Sequence, residues 1–182
     1  VYKRQSTYFV EQGATGFMRN FNVGFLTTGG LSYMGAPKDP ARGLHGTIGN
    51  TPAENFYHQD NGQAIVAQGD VREAEMFGVN LLLKRRITLP KAQTSIYLHD
   101  IVVNEGSRPA PLMMLYHMNF GYPFFGPETQ LVLDPLVTTD RDGLPATDWK
   151  TFSLPKAKTE ERVYFHSFKP DFDDMVQYKL LS

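Results

Sequence analysis

Apolar and polar positions along this chain alternate in short runs and seldom recur with helical spacing. Pro and Gly interrupt almost every window long enough for three helical turns. The alternating runs predict strands at Phe21 to Thr28, closed by Gly29-Gly30, then at Ala64 to Glu73, Val79 to Leu89 and Thr94 to Asn104. Leu112 to Phe120 comes after a polar loop, Glu105 to Ala110, and so predicts a hairpin with the run before it. Gln130 to Leu133, Val163 to Phe168 and Met175 to Leu181 are further strand candidates. The run from Thr94 carries Ile96, Leu98 and Val102 on one face and Tyr97, Ile101 and Val103 on the other. A strand apolar on both faces implies stacked sheets. One helical turn is expected at Thr51-Pro-Ala-Glu54, with Thr51 as cap, Pro52 at the first helical position and Glu54 closing a capping box. The expectation is an all-β antiparallel sandwich forming one domain over residues 1–182.

Composition changes this picture little. The 182 residues suffice for one sizeable core. With 18 Lys plus Arg against 19 Asp plus Glu, no basic face is forced on the fold, so neither nucleic acid nor anionic membrane is an expected partner. No apolar run approaches the ~18 residues of a membrane span. Val1 to Gln5 leads into no signal-peptide core. The expected compartment is the cytoplasm, and the pattern says nothing of oligomeric state. With no Cys, disulfides and thiol chemistry are excluded. Val1 to Gln5 looks unrelated to the residues after it, and Met175 to Leu181 has strand character just before the last residue, so the chain reads as an incomplete domain.

Two of the five histidines stand out. His45 sits in Arg42-Gly-Leu-His-Gly-Thr-Ile-Gly-Asn50, where Gly43, Gly46 and Gly49 let the backbone turn tightly and approach a ligand closely. His117 lies in the apolar run Pro111-Leu-Met-Met-Leu-Tyr-His-Met-Asn-Phe-Gly-Tyr-Pro123. Alternation puts it on one face with Met113, Leu115 and Asn119. Burial there tunes an imidazole near neutrality, as a general acid requires. Asn119 offers it a polar partner, and the aromatics of Phe120 to Phe125 offer lining for a sugar-sized cleft. His45, His58 and Glu54 make a conceivable metal set, but no HxH or HExxH spacing supports one. No phosphate loop and no nucleophile elbow is present. Lys84-Arg-Arg86 reads as a solvated patch with Arg85 pointing away from its neighbours, and Asp70, Arg72 and Glu73 read as salt-bridge partners.

Gly43–Asn55 (GLHGTIGNTPAEN), Gly69–Thr88 (GDVREAEMFGVNLLLKRRIT) and Asp100–Pro123 (DIVVNEGSRPAPLMMLYHMNFGYP) together resemble an uncharacterised aldose-1-epimerase-like family of the galactose-mutarotase-like superfamily. The resemblance covers roughly residues 17 to 182 and rests on the two histidine motifs, 72 residues apart. It implies a β-supersandwich and acid–base interconversion of sugar anomers without a cofactor. His45 resembles the histidine that orients and polarises the sugar. His117 resembles the acid that protonates the ring oxygen, although only the His and a nearby aromatic match that family motif. Arg72, Glu73 and Asn119 are secondary candidates for lining a substrate cleft. Thr47 stands where relatives often carry Arg. The Gly-x-Glu-Pro-like motif of the catalytic base is absent, and Glu128, Glu160 and Glu161 stand in other contexts. The resemblance therefore implies an isomerase in the parent protein, while this chain is expected to bind sugar weakly and catalyse little. A carbohydrate-binding module without turnover remains open, as does a metal-dependent sugar isomerase or lyase using His45 with a carboxylate.

Overall fold

The computed structural model describes residues 21, 24–36, 43–169 and 175–181. The Val1 to Gln5 segment and part of the first expected strand lie outside them. Ten strands and two short 3-10 turns make up the regular structure, with no α-helix among the described residues. Among the described residues no helix is long and apolar enough to cross a membrane. The chain divides into two compact units, the first ending at Asn119 and the second beginning at Phe120.

In the first unit, β2 (Glu54–Asp60), β3 (Ala64–Ala74), β4 (Asn80–Pro90) and β5 (Tyr97–Asn104) form an antiparallel sheet in that order. A two-stranded antiparallel sheet pairs β1 (Leu26–Leu31) with β6 (Met113–Met118). The two sheets share one core. Leu31 of β1, Leu81 and Leu83 of β4, and Ile48 of the first 3-10 turn are buried together, with Val71, Val102 and Met114 packed against them. Odd-numbered residues of β3 and β4 thus turn inward. Val66 and Leu82, on the other face of the same sheet, are buried too.

In the second unit, β7 (Gln130–Val132) pairs with β10 (Lys179–Leu181), and β8 (Val137–Asp140) with β9 (Tyr164–Ser167), both antiparallel. Trp149 is its buried aromatic, with its ring edge-on to His166 at 4.8 Å between centroids. His166 Nδ1 lies 2.8 Å from Thr138 Oγ1 on the facing strand.

The all-β antiparallel sandwich is as the alternation implies, but its wiring differs. The expected hairpin does not form, because β6 pairs with β1 in the other sheet. Pro109 and Pro111 in the connection have no N–H to continue a ladder against β5. Asn104 holds the turn out of the sheet by accepting from Gly106 N and donating to Arg108 O. β5 is consequently an edge strand, and its outer-face Tyr97 and Ile101 are half-exposed, not buried on both faces. The expected helical turn at Thr51 is displaced. The 3-10 turn spans Ile48–Asn50 and Thr51 terminates it, donating from Oγ1 to Thr47 O, while Glu54 opens β2. β2 itself, ENFYHQD, is too polar to announce a strand and is exposed throughout.

Gly29 and Gly30 do not end β1 but lie within it, and the reason is a close approach. A Cβ at Gly29 would stand 2.5 Å from the carbonyl oxygen of His45, and one at Gly30 would collide with that of Met113. Gly30 N donates to His45 O and Thr47 N donates to Gly30 O, so the Gly43–Asn50 loop is zipped onto β1. Gly46 completes the contact: its φ is +80°, and a Cβ there would collide with Gly30 O. Gly46→Ala is therefore expected to cost about 3 kcal/mol, combining the left-handed penalty with a backbone collision. Gly62→Ala, at φ +85° in open space, isolates the conformational part at about 1 kcal/mol. Urea unfolding of the two variants measures the difference. Equal losses would show that the close approach contributes nothing.

Candidate functional site

The zipped loop delivers His45 to His117. His45 has φ +63°, a left-handed conformation that histidine tolerates better than most side chains. Its N–H donates to Gly35 O and its carbonyl accepts from Gly30 N, so both backbone groups are fixed. His117 comes from β6, directly opposite Thr27 on β1. Directly opposed residues raise their side chains on the same face. The two imidazoles meet with centroids 6.5 Å apart and rings at 65°, and Phe21 stands edge-on to His117 at 5.3 Å. His117 Nδ1 is buried and makes no hydrogen bond to the described residues.

The cleft around them is lined by Phe21, Thr27, Gly29, Leu44 and Asn50 besides the two histidines, among others. Its volume of about 30 Å³ admits one or two waters. Only the edge of a larger molecule, one or two oxygen atoms, fits between the rings. The imidazoles are the only titratable side chains of the described lining, and no Asp or Glu belongs to it. Burial, then the like charge of His117, holds the His45 pKa below its ordinary value of 6.5.

The secondary candidates do not join this cleft. Glu73 is buried and accepts hydrogen bonds from Leu31 N at 2.6 Å, Ser32 N at 3.1 Å and Ser32 Oγ. Its carboxylate secures the end of β1 to β3 and is not open to substrate. Arg72 donates to Asn80 Oδ1 and forms an ion pair with Glu105 at 2.5 Å, at the edge of solvent. Its partner is therefore Glu105, just past the end of β5, not a neighbour in β3. Asn119 donates to Gly24 O at 2.8 Å and to His117 O at 3.4 Å, so it ties down the end of β6 and its amide does not meet the imidazole. His58 and Glu54 stand exposed on β2, outside the cleft lining. Among the described residues no three His, Asp or Glu side chains group as metal ligands.

One polar cluster behind the cleft departs from the sequence expectation. Arg85 is not part of a solvated patch. Its Nε and Nη2 hold Asp100 at 2.8 and 2.6 Å across the β4–β5 pair, and its Nη1 donates to Thr28 Oγ1 at 2.6 Å. Tyr116 Oη donates to the same Asp100 carboxylate at 2.8 Å. Burial, then the hydrogen bond to Asp100, pushes the Tyr116 pKa up to about 12. The only advance signal was that Arg85 and Asp100 each face inward on apolar strands, where an unpaired charge is untenable.

Comparison with known proteins agrees with this architecture. Residues 2–182 match a family described as "Domain of unknown function (DUF4432)". The chain belongs to that family. No curated protein matches the chain. Among solved structures, a crystal structure titled as that of a "putative aldose 1-epimerase" from Klebsiella pneumoniae subsp. pneumoniae superposes with a TM-score of 0.71 at 23% identity. The match covers 82% of this chain and 41% of that one. The DUF4432 chain thus shares the sandwich fold of an aldose-epimerase-like protein and spans less than half of that protein's length.

The depressed His45 pKa bears on stability. The unfolded chain takes up this proton near pH 6.5 and the folded one only at lower pH. The neutral ring's contribution is complete above pH 6.5 and is lost as pH falls through the folded-state value. His117→Gln removes the second cause, so NMR titration of the His45 ring is expected to show a higher pKa in that variant. An unchanged His45 titration would show that the two rings are not coupled.

Proposed function

We propose that the full-length protein binds the anomeric edge of a sugar between His45 and His117 and interconverts the anomers by acid–base catalysis. The observation that carries this reading is the meeting of two imidazoles, 72 residues apart in sequence, at 6.5 Å in one small cleft. His117, as general acid, donates a proton to the ring oxygen while a base takes the proton of the anomeric hydroxyl. The bond from C1 to the ring oxygen breaks and the open-chain aldehyde forms. Rotation about C1–C2 and reclosure, with both proton transfers reversed, give the other anomer. His45, neutral at pH 7 because of its lowered pKa, holds a sugar oxygen by hydrogen bonding. The base in this reading is a carboxylate from outside the described cleft lining.

A second reading, a carbohydrate-binding domain without turnover, is favoured by the same lining, which supplies no carboxylate among the described residues. Mutarotation of several aldoses, followed by polarimetry with full-length protein, separates the two. The catalytic reading expects His117→Ala to lower the rate about 10²–10⁴-fold. Equal rates in the two proteins, with sugar binding retained by both, would leave the binding reading alone.

A further inference from the structure

The polar cluster between the two sheets has a placement that stability alone does not require. Thr28 and Tyr116 are direct partners in the β1–β6 ladder, and the adjacent rung is Thr27 with His117. Thr28 Oγ1 accepts from Arg85, and Tyr116 Oη donates to Asp100. A single guanidinium–carboxylate fork, fixed to β4 and β5, therefore grips both strands one residue from the imidazole rung. The fork is bidentate, and Asp100 is 6% exposed at its side chain against 21% for Arg85. The Arg85 guanidinium also lies 5.9 Å from the centre of the Tyr116 ring, within cation–π range.

Partly buried ion pairs of this kind contribute little net stability, because desolvation offsets most of their attraction, and apolar side chains of similar volume often serve as well. What such a pair supplies that apolar packing does not is direction. The donors and acceptors meet only in one register of β1–β6 over β4–β5. Tyr116 and His117 are neighbours in β6, so a tilt of the strand that breaks the Tyr116 bond carries His117 with it.

We propose that Arg85, Asp100 and Tyr116 are positioning residues for the imidazole pair, holding His117 at its working distance from His45. The proposal rests on the catalytic reading only for its kinetic consequence, since the placement of the rings is measurable without turnover. Tyr116→Phe removes the bond to Asp100 and the weaker contact with Met114 Sδ, and keeps the ring. Arg85→Lys keeps the charge but cannot serve Asp100 by a fork and Thr28 together.

In the full-length protein each variant is expected to lower kcat about 10-fold or more while KM changes less than about twofold. A displacement of about 1 Å at a reacting group has effects of that order. Independently of turnover, the change in His45 pKa produced by His117→Gln is to be measured by NMR in the wild-type, Tyr116→Phe and Arg85→Lys backgrounds. The expected result is a clear reduction of that change in both variants, because rings no longer held together couple less. Should both variants fold, bind sugar as the wild type does and retain the full change in His45 pKa, the cluster is merely structural and the proposal is overturned. If Arg85→Lys does not fold, Tyr116→Phe decides by the same measurement. Absence of mutarotase activity in the wild type would sink the catalytic reading alone, leaving the ring titration to test the positioning role.

Discussion

The contact on which the rest of the first unit depends is the backbone clasp between β1 and the Gly43–Asn50 loop. Gly30 N meets His45 O at 3.0 Å, and Thr47 N meets Gly30 O at 3.2 Å. That clasp is possible only where no Cβ intervenes, and glycine occupies both positions where one would strike the other side, 29 and 46, while a Cβ at Gly30 would strike Met113 O of β6 instead. It also fixes Ile48, which enters the core beside Leu31. Core and site are thus set by one set of close approaches. A loop free to leave β1 would give up an apolar core residue as well as the position of His45.

Around this clasp the buried polar groups are each assigned to a structural task. Glu73 takes the Leu31 and Ser32 amides, which terminate β1, and so satisfies donors that would otherwise be stranded between the sheets. Arg85, Asp100, Thr28 and Tyr116 satisfy one another. The His117 Nδ1 atom stands apart from this pattern, being buried but making no hydrogen bond to the described residues. A buried polar atom in that condition is costly, and its ring lines the same cleft as His45.

Much of the secondary structure was legible because period-two alternation is a local property. β3, β4 and β9 lie within a residue or two of where the pattern puts them. β2 and β8 were not legible, since ENFYHQD and VTTD carry too few apolar residues to mark a buried face. Pairing was not legible either. The pattern of β6 is compatible with β5 or β1, and the choice between them depends on prolines that deny the hairpin and glycines that admit the loop. In the site, His45 and His117 stood out by their contexts, whereas Arg72, Glu73 and Asn119 were singled out for their polarity and turn out to serve the backbone or the surface.

By itself, then, the sequence determined that this chain is an antiparallel β-structure and that two histidines lie in unusual surroundings, because alternation and glycine spacing act over a few residues. Only the tertiary structure decided that β6 leaves β5 for β1, that Arg85 is paired beneath the cleft, and that the two imidazoles face each other. Those outcomes depend on which separated segments come within about 3 Å of one another, the reach of a hydrogen bond. Several local patterns are consistent with each pairing, and the choice among them falls to close packing and to the requirement that buried polar groups find partners.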